Sequence, residues 1–178
     1  RCYAAGRVSS VCHVQSQSTQ IGICAGGLVG RASGGSISDC FAYCSVSARH
    51  LQDSRAPLTA GGLVGYCSGV LSSCYAASTP VSAHATANSV LNKCSAYLGA
   101  LSGYGGRVDQ QCYRATRMGG EPAGETGNIN VTRNEAGYYL SQHFADKQEY
   151  YTSFDFDSTW QFTHGAFQEL PHLQYDPN

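Results

Sequence analysis

Ala25-Gly26-Gly27-Leu28-Val29-Gly30 recurs letter for letter as Ala60-Gly61-Gly62-Leu63-Val64-Gly65. A looser copy, Gly99-Ala100-Leu101-Ser102-Gly103-Tyr104, matches Gly61 to Tyr66. Repetition on this scale marks one structural unit stacked several times. A second anchor keeps the same phase. An aromatic follows cysteine at Cys2-Tyr3, Cys40-Phe41, Cys74-Tyr75 and Cys112-Tyr113, in steps of 38, 34 and 38 residues. The text around the anchors is alike too: Ser36-Ile37-Ser38-Asp39-Cys40-Phe41-Ala42 against Val70-Leu71-Ser72-Ser73-Cys74-Tyr75-Ala76.

Within the repeats, small polar and apolar residues alternate, as in Cys44-Ser45-Val46-Ser47 and Val81-Ser82-Ala83. That period fits half-buried strands. Gly34-Gly35, Ser68-Gly69 and Gly105-Gly106 punctuate them as turns do. One unit holds about three short strands and cannot bury its own apolar face. Stacked units can, with Leu28, Leu63 and Leu101 above one another and Val29 and Val64 beside them. The motif glycines (Gly26, Gly27, Gly30, Gly61, Gly62, Gly65) let backbones turn sharply and approach closely. The expected fold is all-β: a right-handed parallel β-solenoid (β-helix) over residues 1–118, with about three repeats of 34–38 residues. A C-terminal α+β cap is expected over residues 119–178. In it, Ala136 to Tyr151 reads as a short helix and Phe154 to Trp160 as a strand. Phe154, Phe156 and the single Trp160 are its expected core, covering the last exposed edge of the stack.

Gly-Gly-Leu-Val-Gly-Tyr, then Ser-Gly, then cysteine-tyrosine-alanine resembles the GLUG repeat of bacterial surface proteins. Gly61 to Ala76 is the best copy and Gly26 to Ala42 the next. The tail is similar to the segment that closes such arrays: Phe154-Asp155-Phe156-Asp157, Trp160, Gly165 and Leu170-Pro171-His172-Leu173. The cysteine load departs from the family pattern, where Asn or Ser is common. The resemblance implies an extracellular, surface-anchored module.

The chain has 178 residues and a formal net charge of −1. Residues 1–118 carry nine Arg or Lys against three acids, net +6; residues 119–178 carry two against nine, net −7. The split predicts two differently solvated surfaces, or a basic body that docks on the acidic end of another copy. The chain opens at Arg1 in mid-pattern with no visible signal peptide, as a mature product or excised fragment of a larger parent would. No run of about 18 apolar residues exists, so no membrane insertion is expected. Basic residues are dispersed among Gly and Ser, and no nucleic-acid stripe forms.

Nine cysteines (Cys2, Cys12, Cys24, Cys40, Cys44, Cys67, Cys74, Cys94 and Cys112) in a Gly/Ser-rich chain suggest an oxidising compartment and disulfides. The odd count leaves one thiol over. Cys2, Cys40, Cys74 and Cys112 form an expected ladder, either bridged between successive units or a buried column of thiols. His13, His50 and His84 lie eleven, ten and ten residues after Cys2, Cys40 and Cys74. A histidine ladder of this kind would bind a transition metal or switch with pH; the alternative is three loop histidines that bind nothing. Asn130-Val131-Thr132 is a glycosylation sequon, expected in a loop. Asp155 and Asp157 are expected to share one strand face. No His-Glu-x-x-His, Gly-x-Ser-x-Gly, phosphate loop or Cys-x-x-Cys occurs.

The expectation is therefore a non-enzymatic structural or adhesive module of a cell-surface or filament-forming protein, with no catalytic residues and no cofactor. Its expected partners are itself, head to tail, other surface proteins, or glycans. The alternative is a carbohydrate-binding module attached to a secreted hydrolase or peptidase, for which a flat row of exposed tyrosines would speak.

Overall fold

Alternation of small inward and polar outward residues builds the longest strands of this chain. The structure is a computed structural model. It describes residues 1–13, 22–51, 55–77, 81–85, 94–108, 112–114, 129–134, 136–139, 147–162 and 170–174. In chain order the strands are β1 (Cys2–Cys12), β2 (Ile23–Gly26), β3 (Val29–Ala32) and β4 (Ser36–Ser38). The pattern then recurs as β5 (Cys40–His50), β6 (Leu58–Gly61) and β7 (Val64–Ser72). It recurs again as β8 (Tyr75–Ala76), β9 (Val81–Ala85), β10 (Cys94–Gly99) and β11 (Ser102–Val108). β12 (Tyr113–Arg114), β13 (Ile129–Asn134) and β14 (Tyr138–Tyr139) follow, and β15 (Trp160–Gln161) pairs antiparallel with β16 (His172–Leu173).

The fold is all-β, with three parallel sheets. The first has the order β1-β5-β8-β12-β14, with β9 also on β5; the second is β13-β10-β6-β2; the third is β11-β7-β3, with β4 also on β7. Each strand thus lies on its sequence equivalent in the next repeat. Ala25 and Gly26 stand opposite Ala60 and Gly61, and Val29 opposite Val64. Identical residues stack because their needs for space are identical.

β5 shows why the first sheet forms. Cys40, Ala42, Cys44, Val46, Ala48 and His50 are buried, whereas Tyr43, Ser45 and Ser47 are half-buried and Arg49 is exposed. The inward side chains make two apolar clusters. One packs Val46 and Ala48 against Ile23, Leu58, Ala60 and Leu98 of the second sheet. The other packs Ala42 and the cysteine column against Leu63, Val64, Leu71 and Leu101. Alanine and cysteine abound because the sheets leave little room between them.

Two corners explain the repeat motif. At the first, Gly26, Gly61 and Gly99 form a column by register. A Cβ on Gly61 would strike the Val64 carbonyl oxygen and lie 2.6 Å from the Gly103 amide nitrogen. Gly26 meets Val29 and Gly65 in the same way. None of the motif glycines has a positive φ; close backbone approach, not chirality, demands them. Across this corner Leu28 N donates to Leu63 O at 2.9 Å, and Leu63 N to Leu101 O at 3.0 Å. At the second corner, Asp39 (φ 51°) and Ser73 (φ 48°) turn left-handed just before Cys40 and Cys74. Each following thiol donates back to the carbonyl two residues earlier, Cys40 to Ser38 and Cys74 to Ser72, both at 3.1 Å.

The tail departs from expectation in three ways. First, β13 and β14 continue the second and first sheets, so strand pairing runs past residue 118. Second, no helix spans Ala136 to Tyr151 among the described residues: Tyr138–Tyr139 is strand and only Gln148–Tyr150 makes a 3₁₀ turn. Leu140 and Phe144 lie outside the described residues. Third, the tail runs along the side of the stack. Tyr3, Phe41, Tyr75 and Tyr113 follow inward cysteines, so alternation turns them outward. Phe41, Tyr75 and Tyr113 form an apolar stripe covered by Tyr151, Phe154 and Trp160. Phe41 stacks on Tyr75 at 5.6 Å, Tyr113 meets Phe154 edge-on at 5.1 Å, and Phe154 stacks on Trp160 at 4.1 Å. The Arg1 guanidinium donates to Ser158 O at 3.4 Å, so the tail reaches the first strand.

Phe154 to Trp160 is a turn that enters β15 and not a long strand. Asp155 Oδ1 accepts from the backbone N–H of Asp157 at 2.9 Å and of Ser158 at 3.1 Å, and Oδ2 accepts from the Ser158 hydroxyl. Such local bonds compete with strand pairing. The Ser158 hydroxyl, followed by these amides, holds the Asp155 carboxyl below its usual range.

Gly61→Ala is expected to lower unfolding free energy by at least about 3 kcal/mol in urea titration, because backbone cannot yield as a side chain does. Ser68→Ala, on an exposed strand position, serves as the control, with a change within about 0.5 kcal/mol. Phe154→Ala is expected to cost about 3 kcal/mol and to shift Trp160 emission to the red.

Candidate functional site

The outward face of the first sheet is divided along the strands. Its β5, β8 and β12 beginnings are aromatic and lie under the tail, whereas Tyr3 on β1 is exposed. Its far half is polar. Arg7 stands opposite Ser45, Ser9 opposite Ser47, and Val11 opposite Arg49 on β1 and β5. On β9, Ser82 stands opposite Ser47 and His84 opposite Arg49. Arg7, Ser9, Ser45, Ser47, Arg49 and Ser82 line a groove of about 300 Å³ with Val8 and Val46 at its floor. Ser47 Oγ donates to Ser9 Oγ at 3.2 Å, and Ser82 Oγ to Val46 O at 3.5 Å. Ser9 keeps its own hydroxyl proton to donate. None of the outward residues on the three strands is acidic, and among the described residues neither Arg7 nor Arg49 has a carboxylate partner. The face offers hydroxyls and uncompensated positive charge on rigid strands. Its signal was present in Cys44-Ser45-Val46-Ser47-Ala48-Arg49, where alternate positions are hydroxylic and then cationic, but only as a strand pattern.

The cysteines are all free thiols, which corrects the disulfide expectation. Cys12 faces His50, Cys24 faces Thr59, Cys44 faces Gly6, Cys67 faces Ala32 and Gly105, and Cys94 faces Ile129 across strand pairs. None of these five has a cysteine partner in register. Cys2 does face Cys40. Yet in-register parallel neighbours point the same way, about 4.8 Å apart, wider than the roughly 3.8 Å Cβ separation of a disulfide. Cys40, Cys74 and Cys112 instead form a hydrogen-bonded column. When Cys40 ionises it gives up its bond to Ser38 O and accepts the Cys74 proton in place of Ser72 O, which lowers its pKa to about 6. Hydrogen bonds with Cys112 and Cys40, and then burial, hold the Cys74 proton far more tightly than usual. Burial raises Cys94 to about 11 and moves Cys44 upward as well.

The histidines do not form a ladder. His50 stands opposite Cys12 and Ala85, and His84 opposite Arg49. His13 comes one residue after the strand that pairs with His50. His50 points inward, fully buried, with Nε2 2.8 Å from Ala56 O, whereas His84 is outward and His13 exposed. Among the described residues no group of three His, Cys, Asp or Glu is arranged to hold a metal ion. Asn130 lies in β13, opposite Ser95, and not in a loop. Asp155 is committed to the turn described above.

Among the described tyrosines, Tyr3 and Tyr150 are exposed, and two sets are packed. Tyr75, Tyr113 and Tyr151 are buried. On the third sheet, Arg31, Tyr66 and Tyr104 form an outward column by register. Tyr66 stacks on Tyr104 at 5.8 Å, the Arg31 guanidinium lies 5.1 Å from the Tyr66 ring centre, and Tyr97 meets Tyr104 edge-on at 4.5 Å. These ring faces are turned to one another. They do not form a flat platform for a sugar.

Compared with family models, curated proteins and solved structures, the chain gives no significant match. Among the described residues no helix is long and apolar enough to cross a membrane.

The Cys40 shift sets a pH dependence. Its folded pKa, about 6, lies below the ordinary 9.0. Its ionisation therefore adds stability that is full above about pH 9 and is lost as pH falls through 6. Under reductant, the urea midpoint of the wild type relative to Cys40→Ser is expected to rise from pH 6 to pH 8.5. A constant difference would contradict the thiolate.

Proposed function

We propose that this chain is a non-enzymatic extracellular module, a right-handed β-solenoid of the GLUG type, that forms structural or adhesive surface of a larger cell-surface or filament-forming protein. The observation that carries this reading is the in-register stacking of Ala25-Gly26 on Ala60-Gly61, continued on Leu98-Gly99. Stacks of this kind make stiff, extended scaffolds from repeated sequence. Their sides offer long arrays of outward side chains. Antibodies raised against the chain are expected to label intact, unpermeabilised source cells; labelling only after permeabilisation overturns the surface assignment.

Head-to-tail assembly belongs to the same reading. The basic residues 1–118 and acidic residues 119–178 are opposite in sign, and β1 and β13 are each an outermost strand of a sheet. Outermost strands present unpaired backbone groups that another chain can pair with. Scattering mass at micromolar chain is expected to exceed the monomer at about 20 mM salt and to fall at 500 mM, as screening predicts. A strict monomer at both salts rules assembly out.

A further inference from the structure

We infer that the polar half of the first sheet's outer face, centred on Arg7, Ser47 and Arg49, is a binding site for an acidic glycan. The inference rests on the adhesive reading and names the ligand class for one of its surfaces. The spacing of the two cations favours a polyanion whose charges are set apart. Arg49 pairs in register with Val11, four residues along β1 from Arg7. At about 3.3 Å per residue the two cations are roughly 13 Å apart along the strands. A nucleic-acid strand carries a phosphate at every nucleotide, about every 3.4 Å of axis when stacked, so charges would also fall on the hydroxyls between the two cations. A glycan with carboxylates or sulfates separated by neutral sugars fits the order cation, hydroxyl row, cation.

The row between the cations has the matching chemistry. Ser9, Ser47 and Ser82 stand side by side on adjacent strands. Hydroxyls both donate and accept, as sugar hydroxyls do. Arg7 and Arg49 are exposed, and each guanidinium offers a planar fork that suits carboxylate or sulfate in two parallel hydrogen bonds. The site is built on paired strands, so its spacing is held by backbone hydrogen bonds and not by loops.

Isothermal titration at 50 mM salt tests this with four probes: hyaluronan and unsulfated chondroitin hexasaccharides, each with a carboxylate on every second sugar, cellohexaose, and a single-stranded oligo-dT of equal charge to the hyaluronan probe. At least one acidic hexasaccharide is expected to bind at least tenfold more tightly than both cellohexaose and oligo-dT. Arg7→Ala with Arg49→Ala is expected to weaken that binding at least tenfold, and Ser47→Ala at least threefold. Arg31→Ala removes the same charge from an exposed position on the third sheet and is expected to change it less than twofold. Circular dichroism of each variant checks the fold, since these side chains lie outside the core. Equal binding of oligo-dT, unchanged binding in the double variant, equal losses in Arg31→Ala, or no binding of either acidic probe overturns the site. Cell labelling reads the surface assignment separately: labelled intact cells without glycan binding defeat this inference alone, and glycan binding by an intracellular chain defeats the adhesive reading alone.

Discussion

The approach of one backbone to the next at the Gly26, Gly61 and Gly99 corner governs the rest of this structure. There the chain leaves the second sheet for the third within three residues, and the space that a Cβ would need is filled by carbonyl and amide groups of the same and the adjoining repeat. The corner therefore fixes two things together. It sets the direction in which the third sheet leaves, and it sets the register between repeats, because only glycine on glycine closes the gap. Once Gly26 lies on Gly61, Leu28 N reaches Leu63 O and Val29 lies opposite Val64. Register in a sheet decides which side chains face inward, since a slip of one residue exchanges the faces. A constraint at one corner thus reaches every alternating strand.

The outer face of the first sheet follows from that register. Cysteine inward puts the next aromatic outward, and Phe41, Tyr75 and Tyr113 become one apolar stripe. Burying such rings is worth roughly 1.5–3 kcal/mol each, which gives the tail a reason to lie along the side with Tyr151, Phe154 and Trp160. The same strand, six to eight residues on, turns Ser47 and Arg49 outward beyond the tail. One face thus carries a permanent internal contact and an open polar surface. The inward cysteines need no bridge to account for them. Each is small enough for the narrow interior, and the protonated thiols of Cys40 and Cys74 donate to the carbonyls just before the left-handed residues Asp39 and Ser73.

The sequence disclosed the stacking, the motif corner and the parallel pairing, because identical residues at one phase have a single economical arrangement. It did not disclose the histidine positions. His50 and His84 are both ten residues after their cysteines, yet Phe41 pairs with Tyr75 at an offset of 34 whereas Val46 pairs with Val81 at 35. One added residue between β8 and β9 shifts the register and sends His84 outward while His50 stays buried. Counting from an anchor cannot detect this, because spacing is conserved while pairing is not. The tail was misread for a different reason. Tyr139, Leu140, Phe144 and Tyr150 suggest a helical stripe by spacing, but at its start Tyr138–Tyr139 is taken into pairing with β12, a tertiary demand that local periodicity does not carry. Asn130 was misplaced likewise: its segment looks like a loop until β10 is available as a partner.

That added residue also completes the polar face. With the offset of 34 kept throughout, Ser82 would stand opposite Ala48 and turn inward with it, and His84 would join His50 in the core. At 35, Ser82 extends the Ser9 and Ser47 row and His84 comes beside Arg49. Two polar side chains thereby leave an interior where the small apolar residues Val81 and Ala83 pack instead. Burying unpaired hydroxyl and imidazole groups is costly, so core packing alone favours this register. The outward row of hydroxyls and cations is its direct consequence: the requirement to keep the interior apolar also lays out the surface.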